Sequence, residues 1–230
     1  MTVYKAPLED YKFLFHEVFN VIDVCKHLGY DQVDRELIDV MTEEWSQFVI
    51  DVWKPSNIDG DQIGSKLEKG SVISPPGFKE AWKKTVESGW LQAVCKEEHG
   101  GMDFPLFFRN AMDEFAISCN MALSVVAALS LGVYDLIIGH GSQEIIDRYA
   151  SLISSGEWCG TMCLTEPHCG TDLGMIKTKA IPQEDGSYSI TGTKIFITAG
   201  DHDLADNIVH MVLAKLPDAP KGSKGISLFL

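Results

Sequence analysis

The sequence predicts an α+β protein, with an all-α N-terminal domain over residues 1–156 and the first part of an antiparallel β domain over residues 157–230. Two observations support this class. Apolar residues recur at helical spacing through the first two thirds of the chain, and short alternating, β-branched segments take over after Gly156. Because the helices precede the strands instead of alternating with them, a βαβ fold is not favoured.

The first two thirds contain a series of apolar faces with the period of a helix. Pro55 ends the second of these predicted helices, and Pro105 suits the first turn of a later helix. Between the second and third faces, the chain from Asn57 to Gly77 is rich in Gly, Ser, Asp and Pro, which predicts a long surface loop. The predicted helices cover residues 8–22, 37–52, 78–90, 108–119, 121–138 and 142–153.

The last third contains short apolar and β-branched segments that are separated by turn residues such as Gly186 and Gly192. The chain stops inside the last of these segments, and an unfinished strand leaves an adhesive sheet edge. We therefore expect the sequence to be the front part of a longer protein. The predicted strands cover residues 161–165, 176–181, 188–191, 195–198, 208–214 and 226–230.

The net charge, the most apolar stretch and the N-terminal residues argue against several classes of protein. The net charge of −14 argues against a broad nucleic-acid surface, which requires clustered Lys and Arg. The most apolar stretch, Met121 to Gly139, contains Tyr134 and Asp135 and predicts a buried helix, not a membrane span. The first residues resemble neither a secretory signal nor an Arg-rich transit peptide, so we expect a cytoplasmic protein.

Three cysteines, Cys159, Cys163 and Cys169, lie close together in the sequence, with His168 beside the last. Their spacing does not reproduce the Cys-x-x-Cys pairs that hold a tetrahedral zinc ion. Cysteine is also a common small core residue. We predict reduced, structural thiols and no metal site.

Two segments have residue types that suit a ligand site. In Met162–Asp172, a strand runs into a turn where Gly170 permits close approach of backbone N–H groups and Thr165 and Thr171 offer hydroxyls. In Gly192–Gly200, strand alternation would place Phe196 and Thr198 on one face, as a flat heteroaromatic cofactor requires. Taken from the residues alone, a structural turn and an ordinary strand are the favoured interpretations of the two segments.

Together, the two segments resemble the acyl-CoA dehydrogenase family. Its hallmark turn Thr-Glu-Pro-x-x-Gly-Ser-Asp corresponds to Thr165–Asp172, and its later Trp-Ile-Thr corresponds to Phe196-Ile197-Thr198. The segments Tyr4–Leu8, Gly156–Cys163 and Ala199–Asp203 are similar to the larger branch, which contains the 3-methylmercaptopropionyl-CoA dehydrogenases.

The resemblance implies a helical N-terminal domain, a middle β domain and a C-terminal helical bundle that is missing from this chain. It implies a flavoprotein oxidoreductase of fatty acid metabolism that uses FAD to dehydrogenate an acyl-CoA thioester at the α,β position. Electron-transfer flavoprotein is the implied electron acceptor, and the full-length enzyme is expected to be a homo-oligomer.

The residues that the resemblance assigns to FAD belong to the two segments. Thr165 is expected to bond the pyrimidine edge of the flavin, Thr198 to bond near N5, and Thr171 to approach the FAD pyrophosphate or the acyl-CoA substrate. Thr171 stands in place of the usual Ser, and Phe196 in place of Trp, which keeps the aromatic face but loses an N–H donor. The full cofactor-binding set is Met162, Cys163, Leu164, Thr165, Gly170, Thr171, Phe196, Ile197 and Thr198.

The family's catalytic base is a Glu of the C-terminal domain, so the resemblance implies no catalytic residue in this chain, which we expect to be inactive alone. Glu166 has a turn context that indicates a structural carboxylate. Two alternatives remain open. One is a non-catalytic acyl-CoA-binding or assembly module on the same fold, and the other is a related flavoenzyme such as a monooxygenase or nitroalkane oxidase.

Overall fold

The structure is a computed structural model that describes residues 4–230. The predicted fold class is confirmed: helices and one short hairpin occupy the chain up to Ser155, and a larger sheet follows. Within residues 4–230, the eight α-helices are α1 (Leu8–Phe13), α2 (Val21–His27), α3 (Arg35–Phe48), α4 (Asn57–Gln62), α5 (Phe78–Ser88), α6 (Phe107–Cys119), α7 (Met121–His140) and α8 (Gln143–Ser155).

Side-chain caps mark the beginning of the two longest helices. Asp34 accepts a hydrogen bond from the N–H of Leu37 at the start of α3, and Asn120 accepts one from Leu123 at the start of α7. The predicted helix over residues 8–22 is interrupted, because α1 passes into a π-helical turn and Asn20 then adopts a left-handed backbone.

The predicted loop from Asn57 to Gly77 contains regular structure, so that prediction was wrong in part. It holds α4 and a hairpin of strands β1 (Lys66–Glu68) and β2 (Ser71–Ile73). Lys69 and Gly70 form the hairpin turn with φ values of 51° and 87°. Left-handed backbone at both central positions matches the right-handed twist of the two strands, so a two-residue turn closes the hairpin.

Helix α7 connects the helical domain to the sheet. It is long and apolar enough to cross a membrane by length and composition, and half of its apolar window is buried inside the protein. Its Ser130 hydroxyl accepts a hydrogen bond from the N–H of Gly160, at 3.0 Å. A Cβ at Gly160 would lie 2.6 Å from the side chain of Val133, so only glycine permits this approach.

The sheet has five strands: β3 (Trp158–Cys163), β4 (Lys179–Pro182), β5 (Tyr188–Thr191), β6 (Asn207–Lys215) and β7 (Ile226–Phe229). The long strand β6 pairs with β3 over Trp158↔Asn207 to Cys163↔Val212, with β7 on its other side, and with the end of β4. The sheet is mixed and not wholly antiparallel, because β6 runs parallel to β3 and β4.

One predicted strand is wrong. Residues 195–198 form no strand in the described chain, and the backbone of Phe196 is left-handed, with φ of 57°. A strand requires extended φ at every residue, so this single angle ends any ladder. The other five predicted strands are present, with limits that differ by a few residues.

Candidate functional site

The first predicted segment is a strand followed by a closed turn. Strand β3 ends at Cys163, and two reciprocal backbone hydrogen bonds of 2.9 and 3.1 Å then join Glu166 to Cys169. Pro167 and His168 lie exposed at the tip of this turn. The pairing fixes the direction of the chain from Leu164 to Gly170 without help from a regular strand.

Glu166 is the buried anchor of the turn, with its side chain 3% exposed. Its oxygens accept hydrogen bonds from the Thr178 hydroxyl at 2.6 Å, and from the N–H groups of Lys177 at 2.7 Å and Thr178 at 3.0 Å. Burial alone would raise the pKa of Glu166, but these donors and the ammonium of Lys194 lower it to about 2. The prediction that Glu166 is a structural carboxylate is confirmed.

Lys194 joins the two predicted segments. Its ammonium lies 3.0 Å from Oε1 of Glu166 and donates to the carbonyl of Leu164 at 2.9 Å. The N–H of the next residue, Ile195, donates to the carbonyl of Thr165, also at 2.9 Å. The structure therefore brings residues 164–166 alongside residues 194 and 195, which lead directly into Phe196.

A close approach of the chain at Gly192 permits this arrangement. A Cβ at Gly192 would lie 2.2 Å from the hydroxyl oxygen of Thr178, which is the same hydroxyl that donates to Glu166. Any larger residue would displace the segment that carries Lys194. Gly192 is therefore a structural requirement of the ion pair.

Phe196 is presented outward from this junction. Its side chain is 88% exposed, and its left-handed backbone is unusual for a bulky residue. Thr198 is also exposed, in a turn that the N–H of Gly200 closes on the carbonyl of Ile197 at 3.0 Å. An aromatic ring and a hydroxyl are thus exposed within three residues of the Ile195–Thr165 hydrogen bond, although no strand places them on one face.

Several polar groups at the junction have no protein partner within residues 4–230. The hydroxyls of Thr165, Thr171 and Thr198 form no side-chain hydrogen bond there, and the N–H groups of Gly170 and Thr171 donate to no protein acceptor. Free hydroxyls and free backbone N–H groups, beside an exposed aromatic ring, suit a ligand with a flat ring and anionic groups. The residues present therefore fit a dinucleotide such as FAD.

The remaining predicted residues lie on two sides of β3. Met162 is half-buried against a cluster from α7 and α8 that includes Tyr134 and Ile153. Cys163 is buried and, with Lys194, Phe196 and Ile197, lines a cleft of about 560 Å³ beside His210 of β6. The nine predicted residues are therefore neighbours in space, but they do not all face one surface.

A possible metal group lies in the same turn. Ligand atoms of Glu166, His168 and Cys169 lie within 4.8 Å of one another. Both oxygens of Glu166 already accept hydrogen bonds, and Nε2 of His168 donates to the carbonyl of Met175 at 3.0 Å. The hydrogen bonds of the turn account for the close approach of these three side chains. The group is also not the set of three cysteines that the sequence analysis considered for zinc. All six thiols are free and buried, in agreement with structural cysteines.

Sequence reasoning missed Lys194, Lys177 and Thr178. The available signal was Glu166 itself, because a buried carboxylate requires a cationic or hydrogen-bonding partner. Lys194 stands two residues before Phe196, inside an otherwise apolar segment. This rule would therefore have indicated Lys194 as the partner of Glu166.

Comparison with known proteins identifies the family. The model of the acyl-CoA dehydrogenase N-terminal domain matches residues 67–157, and that of the middle domain matches residues 161–230. The chain is 38% identical, over 227 residues, to 3-methylmercaptopropionyl-CoA dehydrogenase of Ruegeria pomeroyi, covering 99% of this chain and 39% of that protein. It is 34% identical to a butyryl-CoA dehydrogenase of Syntrophomonas wolfei, covering 99% of this chain and 38% of that protein.

Solved structures agree with this assignment. The acyl-CoA dehydrogenase of Geobacillus kaustophilus superposes with a TM-score of 0.68 at 26% identity, covering 85% of this chain and 47% of that one. The chain thus spans well under half the length of the curated relatives it matches. From the two domain matches and these relatives, the chain belongs to the acyl-CoA dehydrogenase family, of which it carries the N-terminal and middle domains.

Proposed function

We propose that this chain is the front part of an FAD-dependent enzyme that dehydrogenates an acyl-CoA thioester at the α,β position. The observation that carries the proposal is the junction at Lys194. One ion pair and one backbone hydrogen bond join the turn of Thr165 to the segment that carries the exposed Phe196 and Thr198, and the neighbouring donors lack protein partners among the residues that the structure describes.

We assign the cofactor contacts to residues of this junction. Thr165 and Thr198 would donate their hydroxyl hydrogens to ring atoms of the flavin, and the ring of Phe196 would pack on its face. The N–H groups of Gly170 and Thr171, with the Thr171 hydroxyl, would hold the pyrophosphate or the adjoining part of the acyl-CoA. When bound, FAD would supply the acceptor for the hydride that leaves the β carbon. Oriented donors stabilise negative charge on such a ring without reorganising during the reaction.

The base that removes the α proton is proposed to lie outside these residues. Glu166 is held as a fully bonded carboxylate with a pKa of about 2, which is a poor base for an acyl-CoA α proton. Asp172, at the end of the same turn, accepts a hydrogen bond from the N–H of Gly174 and caps a short helix. The 230-residue chain is therefore expected to be inactive alone.

The wider assignment follows the relatives. They are named for acyl groups as different as 3-methylmercaptopropionyl and butyryl, so we propose an acyl-CoA substrate without choosing its chain. We further propose electron-transfer flavoprotein as the acceptor, a homo-oligomeric full-length enzyme and a cytoplasmic location.

The test compares this chain with the longer protein that contains it. Both are purified, their flavin absorbance is recorded, and both are assayed with acyl-CoA and an artificial electron acceptor. We expect a yellow, active longer protein and a 230-residue chain that binds FAD weakly and does not turn over. Turnover by the short chain would place the base within these residues. A colourless longer protein that still binds acyl-CoA would instead support the non-catalytic module.

A further inference from the structure

The loop after Thr198 contacts a part of the helical domain that is distant in sequence. Oδ1 of Asp203 accepts a hydrogen bond from the N–H of Ser74 at 3.0 Å, and Oδ2 of Asp201 accepts one from the N–H of Val72 at 3.3 Å. Oδ2 of Asp203 also lies 3.9 Å from the ammonium of Lys79 in α5. We call these two carboxylates and their donors the hairpin clamp, since Val72 belongs to β2 and Ser74 follows it directly.

The clamp carboxylate at Asp203 is suited to hold its partners. Its side chain is 30% exposed, so water competes only in part for its oxygens. Burial raises the pKa of Asp203, but the hydrogen bonds from Ser74 and the charge of Lys79 outweigh burial and lower it. Asp203 is therefore ionised at neutral pH, when its hydrogen bond to a backbone N–H is charge-assisted.

The loop that the clamp holds has a strained backbone. Phe196 and Ala199 both have left-handed φ values, 57° and 54°, within four residues. Left-handed backbone is unfavourable for residues with a Cβ, and such conformations persist where the surrounding structure over-determines them. On one side of this segment stands the Lys194 ion pair, and on the other stands the hairpin clamp.

We propose that Asp203, assisted by Asp201, is a positioning residue that sets Phe196 and Thr198 for the flavin by tying their loop to the β1–β2 hairpin. This inference rests on the proposed function, because the flavin is the ligand that Phe196 and Thr198 are positioned to contact. It assigns the hairpin, which shares no residue with the flavin junction, a direct influence on that junction. Asp203 itself is not required to touch the flavin.

The first test measures the clamp without the cofactor. Hydrogen exchange is followed in the 230-residue chain for the wild type, Asp203→Ala and Asp203→Asn. We expect Asp203→Ala to speed exchange at least ten-fold at the N–H of Ser74 and at that of Gly200, which donates to the carbonyl of Ile197. Asp203→Asn keeps an acceptor oxygen and should restore part of the protection. The matched control is Asp206→Ala, an exposed Asp of the same loop, which should leave both regions unchanged.

The second test measures the flavin site in the longer protein. We expect Asp203→Ala to raise the Kd for FAD about ten-fold and to change the visible circular dichroism of bound flavin, while Asp203→Asn has a smaller effect. As a single substitution, Ser74→Pro removes the donating N–H and should weaken FAD binding. Combined with Asp203→Ala, it should weaken binding little further, because both changes break the same contact.

The outcomes separate this inference from the proposed function. If the wild-type longer protein binds no FAD, the proposed function fails, while the exchange experiment still decides whether the clamp holds the loop. If the wild type binds FAD and Asp203→Ala leaves its Kd and dichroism unchanged, the positioning role is wrong. Unchanged exchange at Gly200 in Asp203→Ala would overturn it as well, as would full additivity of Ser74→Pro and Asp203→Ala.

Discussion

The ammonium of Lys194 lies 3.0 Å from a carboxylate oxygen of Glu166, with the two side chains 10% and 3% exposed. The pair joins the turn after β3 to the segment that leads to Phe196, 28 residues apart in sequence. Each charge is buried, and each has further hydrogen bonds, on the backbone of Leu164 for the lysine and of Lys177 and Thr178 for the glutamate. A buried pair satisfied in this way fixes position more than it adds stability.

Glu166→Gln is expected to destabilise the 230-residue chain. The amide would leave the ammonium of Lys194 buried without its counter-ion, which typically costs about 3 kcal/mol. Urea unfolding followed by far-UV circular dichroism measures this loss. Glu184→Gln, at an exposed turn position, should change the unfolding free energy by less than about 0.5 kcal/mol. Equal stabilities of the two variants would show that the ion pair is not a buried anchor.

The same carboxylate predicts a specific loss of stability in acid. The pKa of Glu166 falls from its ordinary 4.5 to about 2 on folding, so the unfolded chain binds the proton more readily. The resulting stability is fully present above pH 4.5 and is lost as the pH falls from there towards 2. Urea midpoints recorded between pH 6 and pH 3 should fall more steeply for the wild type than for Glu166→Gln. Parallel curves would mean that another group controls the acid transition.

Phe196→Ala separates ligand binding from folding. Because the ring is 88% exposed, its removal should change the unfolding free energy by less than about 0.5 kcal/mol. In the longer protein, loss of aromatic packing on the flavin should weaken FAD binding by about 1 kcal/mol, roughly five-fold in Kd. Phe196→Trp should bind FAD at least as well as the wild type, and Phe13→Ala, another exposed ring, should have no effect. An unchanged Kd in Phe196→Ala would remove Phe196 from the site.

Thr198→Val tests the hydroxyl beside the proposed flavin ring. The side chains are similar in volume, so the fold should persist. Loss of one hydrogen bond to the ring is expected to cost about 0.5–1.5 kcal/mol, which slows flavin reduction by roughly 2- to 12-fold. Stopped-flow reduction of the longer protein by acyl-CoA gives the rate, with Thr193→Val, an exposed threonine of the same segment, as the control. Wild-type kinetics in Thr198→Val would place Thr198 away from the reacting ring.

The sequence predicted the long helices well, because periodicity over many residues is a strong signal. Helices α3 and α5–α8 all lie within a few residues of the expected limits. The β1–β2 hairpin was missed because its strands have three residues each, all exposed except the half-buried Val72, and so show no alternation against a core. The parallel pairing of β3 with β6 was also missed, since it joins segments that are far apart in the chain.

The candidate site was predicted in composition but not in geometry. The motif residues Thr165 and Phe196 indicated which segments meet, and the structure places those segments together. A strand was predicted over residues 195–198 because Ile195 and Ile197 alternate as they would in a β-strand, and this prediction was wrong. Phe196, with its left-handed backbone, lies between the Lys194–Glu166 ion pair and the Asp203 hydrogen bond to the hairpin, which are long-range contacts that no local pattern reveals.

Anaerobic titration of the longer protein with acyl-CoA esters tests the central proposal most directly. The oxidised flavin absorbance is recorded before and after the addition of short-, medium- and long-chain acyl-CoA and of a thioether acyl-CoA. We expect the flavin band to bleach with at least one of these esters, with the matching α,β-unsaturated acyl-CoA as product. A flavin-containing protein whose band is unchanged by every ester would contradict the assignment of this chain to an acyl-CoA-dehydrogenating enzyme.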